Sequence, residues 1–223
     1  MGASKGWRSV IKRVLSATKG PQSASKSTPS ASKPKSLRKH LLKEKCIWLY
    51  NHSYDGVRGR VPVYNREAAV RYAETWWNSY NPAYPKFDDD CTNFVSQCLR
   101  AGGAPFWGSP DREKGWWLGS EKWSFSWSTA HSLRWYLAGS NKGMTATQVS
   151  SAEQLDIGDV IVYDFQNDGR YDHSTIVTAK DGAVPLVNAH TFNTRHRHWA
   201  YKDSYASTPE ARYIFFKIND YFT

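Results

Sequence analysis

The sequence contains few cysteines, and their spacing matches neither a cross-linked scaffold nor a metal-bound one. Its 223 residues include three cysteines, Cys46, Cys91 and Cys98, none of which belongs to a CxxC pair. An odd number of cysteines without paired spacing favours neither a disulfide framework nor a cysteine zinc site. We therefore expect all three to be free thiols.

Long apolar segments are absent as well. The sequence has no run of about 20 apolar residues, the length that a membrane-spanning helix needs. Its amino-terminal region also lacks the apolar core typical of a secretory signal. We therefore expect a cytoplasmic protein, with peripheral membrane attachment through the leader described below.

Acidic residues are almost absent from the first 45 residues. This segment holds 12 of the 30 Lys and Arg residues but only Glu44 among the 20 acids, a net charge of +11. The rest of the chain has 18 basic and 19 acidic residues, a net charge of −1. The basicity therefore belongs to a tail, and nucleic-acid binding by the domain is not expected.

Two segments are expected to precede a globular domain. Residues 20–36, rich in Ser, Lys and Pro, predict a disordered linker, and residues 37–223 predict one domain. Residues 1–19 predict a basic amphipathic helix that binds an anionic membrane surface, and the alternative is a frayed leader with accidental periodicity. The apolar positions of this leader are Trp7, Val10, Ile11, Val14 and Leu15.

Helical patterns precede strand patterns within the predicted domain. Helical periodicity follows Ser36 and Asn65, and it recurs at residues 91–101 and 128–137. Strand patterns occupy residues 160–163, 174–179, 184–189 and 213–218. Helices followed by strands predict the α+β class, with amino-terminal helices packed on an antiparallel sheet.

The stretch DDDCTNFVSQ, residues 88–97, places a cysteine at a predicted helix start. Asp88, Asp89 or Asp90 is expected to cap this helix. In the first turn, backbone N–H groups and the helix dipole stabilise a thiolate, which makes Cys91 the candidate nucleophile. A purely structural cysteine is the alternative. Cys98 shares the apolar face of the helix and is expected in the core.

A candidate base lies in a predicted β-hairpin. If Asp181 and Gly182 form a two-residue turn, His173 on the first strand faces His190 on the second. His190 would then orient the ring of His173, as the third member of a catalytic triad orients its base. The register of the hairpin is open, and Asn188 on the same face is the alternative third residue.

Four stretches carry a family resemblance. They are YNREAAVRYAETWW, SYNPAYPKFDDDCTNFVSQCLRAGG, GDVIVYDFQNDGRYDHSTIVT and PLVNAHTFNTRHRHWAY. Between Val63 and Ile218 the chain resembles the bacterial "putative amidase" domain, a branch of the NlpC/P60 group of papain-like cysteine hydrolases. The resemblance implies a papain-like core with Cys91 as nucleophile, His173 as base and His190 as third residue.

Three further residues are candidates for substrate binding. In related peptidases an acid before the nucleophile helps to hold a substrate amine, so the resemblance implies this role for Asp90, with helix capping as the alternative. Trp116 and Trp117 are adjacent on an extended segment and are predicted to wall a cleft, with core packing as the alternative. The three consecutive acids do not converge on one ion, so neither a metal nor another cofactor is expected.

Together these patterns predict a cysteine-dependent hydrolase. The expected reaction is cleavage of an amide bond through a thioester, as in an amidase or peptidase, with a peptide or small amide as substrate. A cell-wall-derived peptide is one such substrate, although relatives that act on the cell wall are usually exported. The alternatives are an acyltransferase on the same fold and a non-catalytic module that binds cell-wall fragments.

Overall fold

A computed structural model describes residues 61–204 and 208–223 of the chain. This part contains an open six-stranded antiparallel sheet with helices on one face. The helices are α1 (Arg66–Trp76), α2 (Cys91–Ala101), α3 (Phe125–Ser128) and α4 (Ala130–Gly139), with a short 3-10 helix at Ala152–Gln154. The strands are β1 (Ala146–Val149), β2 (Val160–Asp164), β3 (His173–Asp181), β4 (Val184–Ala189), β5 (Thr194–His198) and β6 (Arg212–Ile218). The predicted α+β class is confirmed.

Two predicted helices, the one that follows Asn65 and the one at residues 91–101, agree with the structure. Helix α2 begins at Cys91 and is followed by Gly102 as its C-cap. Helix α1 begins after Asn65, whose side-chain oxygen accepts a hydrogen bond from the backbone N–H of Ala68. Nine of the eleven residues of α2 are buried, so this helix runs through the core rather than along the surface.

The sheet has the strand order β1-β6-β2-β3-β4-β5, and every neighbouring pair is antiparallel. Strand β3 therefore lies inside the sheet between β2 and β4. The strand patterns stated for the sequence correspond to β2, β3, β4 and β6, and they include neither β5 nor β1. Its residues Ala146–Val149 are partly exposed at the edge of the sheet, where an alternating apolar signal is weak.

Two apolar clusters lie on opposite faces of the sheet. Val160, Val162 and Ile176 belong to the larger cluster, which is shared with the helices. Ile161 and Val177 belong to a smaller cluster on the far face. The alternation follows from strand geometry, because successive side chains point to opposite faces. It also decides on which side of β3 each candidate site residue lies.

Polar anchors tie the start of the first helix to the sheet. The guanidinium of Arg66 forms an ion pair with the buried carboxylate of Asp159 and donates a hydrogen bond to the carbonyl of Ile218. The two ends of the described domain also meet, since Val63 and Tyr221 form an isolated β-bridge. These contacts connect residues far apart in sequence and fix the position of the helical layer.

The predicted leader, linker and first helix after Ser36 lie outside the described residues and stay predictions. Among the residues that the structure describes, no helix is both long and apolar enough to cross a bilayer.

Candidate active site

A cleft opens beside the start of α2. Cys91 and His173 both line it, although they are 82 residues apart in sequence. The hydroxyl groups of Thr92 and Ser174 lie 2.9 Å apart and join the start of α2 to the start of β3. The other lining residues are Asp89, Thr92, Ser128, Thr129, Ala130, His131, Ser132, Arg170, Tyr171, Asp172 and Thr191.

The sulfur of Cys91 is almost enclosed, with 5% of the residue exposed. Its Sγ lies 3.9 Å from the carbonyl oxygen of Asp172 and 3.7 Å from the hydroxyl of Thr92. Cys98 on the same helix is fully buried and does not line the cleft. The two thiols therefore differ in access, as the sequence predicts.

His173 lies at the first position of β3, and 2% of the residue is exposed. Its ring packs among aromatic side chains of the far-face cluster, with ring centroids 5.5 Å from both Tyr163 and Tyr201. The Nε2 atom lies 3.3 Å from the hydroxyl oxygen of Tyr201. His173 also lines the cleft that Cys91 lines, at the position where β3 begins.

The protonation state of Cys91 differs from the thiolate that the sequence predicts. Burial raises the pKa of the Cys91 thiol, and hydrogen bonds from Ser174 and Thr92 offset only part of this effect. Burial lowers the pKa of His173 to about 3, and the positive charge of Arg197 contributes to the shift. Both changes oppose an ion pair between thiolate and imidazolium. The dipole of α2 does not overcome the loss of solvent, so the resting site holds a thiol and a neutral imidazole.

The register predicted for the hairpin is wrong. The turn consists of Gly182 and Ala183, so Asp181 pairs with Val184. Gly182 has φ +57°, the conformation that the first central residue of a type II′ turn requires. A bulge then shifts β3 against β4 between Val177 and Ala179. The different turn and the bulge together shift the pairing of β3 with β4 by an odd number of residues relative to the prediction. Such a shift moves the side chains of β4 to the other face of the sheet.

His190 consequently lies on the helix side of the sheet and does not face His173. Its ring stacks on Phe94 of α2, with the two centroids 4.1 Å apart. Nδ1 lies 2.8 Å from a carboxylate oxygen of Asp90, and Nε2 lies 2.8 Å from the carbonyl oxygen of Trp76. Both ring nitrogens are thus engaged away from the predicted base.

Asp90 occupies the N-cap position of α2, but its side chain does not cap the helix and does not line the cleft. The residue is 1% exposed, and besides His190 its carboxylate accepts hydrogen bonds from the side chain of Asn93 and the backbone N–H of Phe87. A buried carboxylate with these partners cannot reach a substrate amine, so the predicted substrate contact is not seen. Asp89, one residue earlier, lines the cleft instead.

Asn188, the alternative third residue, is also engaged elsewhere. Its side-chain oxygen accepts hydrogen bonds from the hydroxyl of Thr178 and the backbone N–H of His196. Its amide nitrogen donates to the carboxylate of Glu74. Asn188 therefore links β3, β4 and β5 to α1 on the helix side of the sheet.

The prediction that Trp116 and Trp117 wall the cleft is wrong, because they are 0% and 3% exposed. Trp116 donates a hydrogen bond from its indole to the hydroxyl of Ser96, and Trp117 donates to the carbonyl of Asp111. Folding of the intervening loop buries both rings, with their indole N–H groups paired as buried indoles require.

Three site residues were not found from the sequence. Asp89 was one of three equivalent acids, and His131 of α4 reaches the cleft only through the packing of that helix. Tyr201 contacts His173 from an irregular segment where its φ is +53°. None of the three belongs to a local motif, and only the folded chain brings them to Cys91 and His173.

Comparison with known proteins identifies related chains. The family model described as "Putative amidase domain" matches residues 63–216. "Uncharacterized protein YhbB" of Bacillus subtilis (strain 168) is 56% identical over 163 residues, covering 73% of this chain and 52% of that protein. "Uncharacterized protein YjcM" of the same strain is 36% identical over 143 residues, covering 60% of this chain and 32% of that protein. The matched region thus spans about half of the first relative and about a third of the second. No solved structure matches.

Proposed function

Because the chain belongs to the family described as "Putative amidase domain", we propose that it hydrolyses an amide bond with Cys91 as nucleophile and His173 as base. One observation carries this proposal: Cys91 and His173, far apart in sequence, line the same cleft. The order of helix, cysteine, strand and histidine also supports a papain-like core of the NlpC/P60 type. The substrate in this proposal is a peptide or small amide.

The first step follows from the neutral resting state. The unprotonated nitrogen of His173 accepts the proton of Cys91 while the sulfur attacks the amide carbon. A sulfur–carbon bond forms, and the carbonyl electrons move to the oxygen. Since neither group is charged beforehand, proton transfer accompanies attack, as in enzymes with a serine nucleophile.

Collapse of this intermediate breaks the carbon–nitrogen bond, and the amine leaves with the proton held by His173. Water then attacks the thioester with His173 again as base, which releases the carboxylic acid and restores the thiol. The backbone N–H of Cys91 is the proposed donor to the negative oxygen in both steps. It lies in the first turn of α2, where backbone N–H groups have no partner within the helix.

Selective modification of Cys91 tests the nucleophile. Cys46 is first replaced by Ser, so that only Cys91 and Cys98 remain. We expect iodoacetamide to modify Cys91 and spare fully buried Cys98, at a rate that rises above neutral pH because the pKa of the Cys91 thiol is raised. Mass spectrometry of peptides from the modified protein identifies the labelled thiol.

The activity test compares matched substitutions in that background against a panel of peptide amides. Cys91→Ser should abolish release of the amine, whereas Cys98→Ser should retain it, because Cys98 does not reach the cleft. If Cys91→Ser released the amine at the rate of its parent, Cys91 would not be the nucleophile. Thermal unfolding of both variants controls for loss of the fold.

A further inference from the structure

We propose that Arg134 of α4 binds a carboxylate group of the substrate at the margin of the cleft. The substrate is then an amide that also carries a carboxylate, such as an acidic peptide. This class of substrate rests on the proposed function. The carboxylate site itself is testable with reagents that need only an accessible Cys91 thiol and no hydrolysis.

Arg134 lacks the polar partner that the other partly buried arginines of the described chain have. Arg66 and Arg197 form ion pairs with aspartates. Arg100 donates a hydrogen bond to a backbone carbonyl. Arg134 forms neither an ion pair nor a hydrogen bond with any residue that the structure describes, and its Nε is enclosed without an acceptor. A partly desolvated cation without a partner is costly, and a bound anion would offset that cost.

Two aromatic rings hold the guanidinium of Arg134 in place. Its Cζ lies 3.8 Å from the ring centre of Trp135 and 4.8 Å from that of Tyr171. Stacking on aromatic rings restrains the side chain without using its N–H groups, which can then form a planar pair with a carboxylate. Nε is the one enclosed nitrogen of this guanidinium, and Trp135 is 60% exposed. A ligand can therefore reach the two Nη atoms.

The neighbours of Arg134 belong to the cleft that contains Cys91. Tyr171 lines this cleft, and so does His131, which lies about one turn before Arg134 on α4. Burial, followed by the positive charges of Arg134 and Arg170, lowers the pKa of His131. The histidine ring therefore stays neutral at neutral pH, and the arginines supply the positive charge on this side of the cleft.

The charges around the cleft give an anionic group a preferred position. Asp89 and Asp172 line the cleft together with Cys91. Burial, and to a lesser extent the negative charge of Asp89, raises the pKa of the Cys91 thiol. A carboxylate is therefore repelled close to the sulfur and attracted at Arg134. We expect the substrate to carry its carboxylate several atoms away from the carbon that Cys91 attacks.

Alkylation of Cys91 by matched charged and neutral reagents tests this position in the Cys46→Ser protein. N-iodoacetyl-glycine, N-iodoacetyl-β-alanine and N-iodoacetyl-γ-aminobutyrate place a carboxylate at increasing distance from the reacting carbon, and their methyl amides are neutral. Each acid-to-amide rate ratio is divided by the ratio for 2-mercaptoethanol. We expect the result to rise with length and to exceed one for the longest pair. Arg134→Gln should lower it by about fivefold, and added salt should lower it in the parent.

Arg112→Gln is the matched control for loss of one positive charge. The guanidinium of Arg112 also lies over two aromatic rings, those of Trp123 and Phe125, but none of these three residues lines the cleft. This variant should keep the parent ratio. Arg134→Lys keeps the charge without the planar N–H pair and should retain part of the preference. Equal ratios in Arg134→Gln and Arg112→Gln would overturn the proposal, as would a preference for the neutral reagent at all three lengths.

Binding without reaction gives a second measurement. N-acetyl-γ-aminobutyrate and its methyl amide are titrated into protein with nitrogen-labelled tryptophan, and Trp135→Phe identifies the indole signal of Trp135. The acid should shift this signal and the amide should not. Arg134→Gln should abolish the shift, while thermal unfolding shows that the variant is folded. An equal shift with acid and amide, or none with either, would overturn the proposal.

Peptide pairs identify the source of the carboxylate. One pair differs by Glu against Gln, and the other by a free carboxyl terminus against an amidated one. We expect a lower KM for the acid in one pair and loss of that difference in Arg134→Gln. Equal KM values in both pairs would overturn the proposed substrate class. If Cys91→Ser still released the amine while the alkylation ratio depended on Arg134, the proposed function would fail and the carboxylate site would stand.

Discussion

The two central side chains have pKa shifts that favour their neutral forms, and both shifts have the same cause. Cys91 and His173 are 5% and 2% exposed, so each loses the water that stabilises its charged form. A negative charge at Asp89 also disfavours a thiolate. The site therefore suits a nucleophile that is activated only when a substrate is present, rather than a permanently reactive thiol.

The depressed pKa of His173 predicts a stability that depends on pH. Below its ordinary value of 6.5, histidine binds a proton in the unfolded chain, whereas the buried ring stays neutral down to about pH 3. The unfolded state then binds more protons, so the free energy of unfolding falls as the pH falls from 6.5 towards 3. The loss attributable to His173 is at most about 1.4 kcal/mol per pH unit.

Urea unfolding of the native protein and of His173→Phe between pH 7 and pH 4 measures this effect. The variant keeps an aromatic ring among Tyr163, Phe165 and Tyr201 but has no titratable group there. We expect its stability to decline less over this interval. Parallel curves for the two proteins would contradict a buried neutral His173.

At the residue scale, the sequence predicted that Cys91 and His173 belong to one site, and both line the same cleft, but it did not predict that Tyr201 contacts the histidine ring. Cys91 follows capping residues, and His173 opens a strand, so local patterns were sufficient. Tyr201 depends on a left-handed backbone conformation after β5, which no local pattern encodes. Its contact with His173 exists only in the folded chain.

Among the elements, the hairpin of β3 and β4 determines which histidine reaches the cleft. Its turn and bulge place His190 on the helix side, where it joins α1 to α2 through Trp76 and Asp90. The carbonyl of Trp76 only accepts, so Nε2 of His190 carries a proton, and a second proton is shared between Nδ1 and Asp90. His190 thus helps to position helix α2 and does not contact His173 through either ring nitrogen.

This arrangement predicts that Asp90 and His190 are strongly coupled in their contributions to the free energy of unfolding. Removing one partner of a buried charged pair typically costs roughly 3–5 kcal/mol, because the other partner remains buried without compensation. We therefore expect His190→Ala and Asp90→Asn each to destabilise the protein, and the double variant to cost less than their sum. Denaturant unfolding of the four proteins gives the coupling energy.

A second measurement distinguishes this role from orientation of the base. His190→Ala should leave the His173 tautomer, measured by nitrogen NMR of histidine-labelled protein, unchanged, because both ring nitrogens of His190 contact other groups. Additive destabilisation by the two substitutions, or a changed tautomer in His190→Ala, would contradict the assignment.

The elements were predicted better than their pairing. Helix α2 and four strands follow from periodicity and from capping or turn residues, which are local signals. The register of β3 against β4 was predicted wrongly because a glycine can occupy either central position of a two-residue turn, and the bulge leaves no sequence signal. An error of one residue was enough to assign His190 to the wrong face.

On the scale of the whole molecule, long-range polar contacts determine how the helices sit on the sheet. The ion pair of Arg66 with Asp159 joins residues 93 positions apart, and the hydroxyl of Tyr64 donates to the carbonyl of Gly158. The class of fold could be predicted because it depends on the order of elements. The ion pair and the hydrogen bond could not be predicted, because the residues around each group do not indicate which distant group it contacts.

The bridge between Val63 and Tyr221 makes the backbone of the domain nearly a closed ring. A short linker from Thr223 to Val61 would complete the ring, and the chain could then be opened elsewhere. The exposed turn at Gly182 and Ala183 is a suitable place, because its residues lie outside both apolar clusters. We expect this circular permutant to unfold cooperatively in a thermal scan, whereas a permutant opened within the buried strand β2 should not fold. Cooperative unfolding of the first permutant would show that the architecture of this domain depends on how its segments pack rather than on the order in which they are joined.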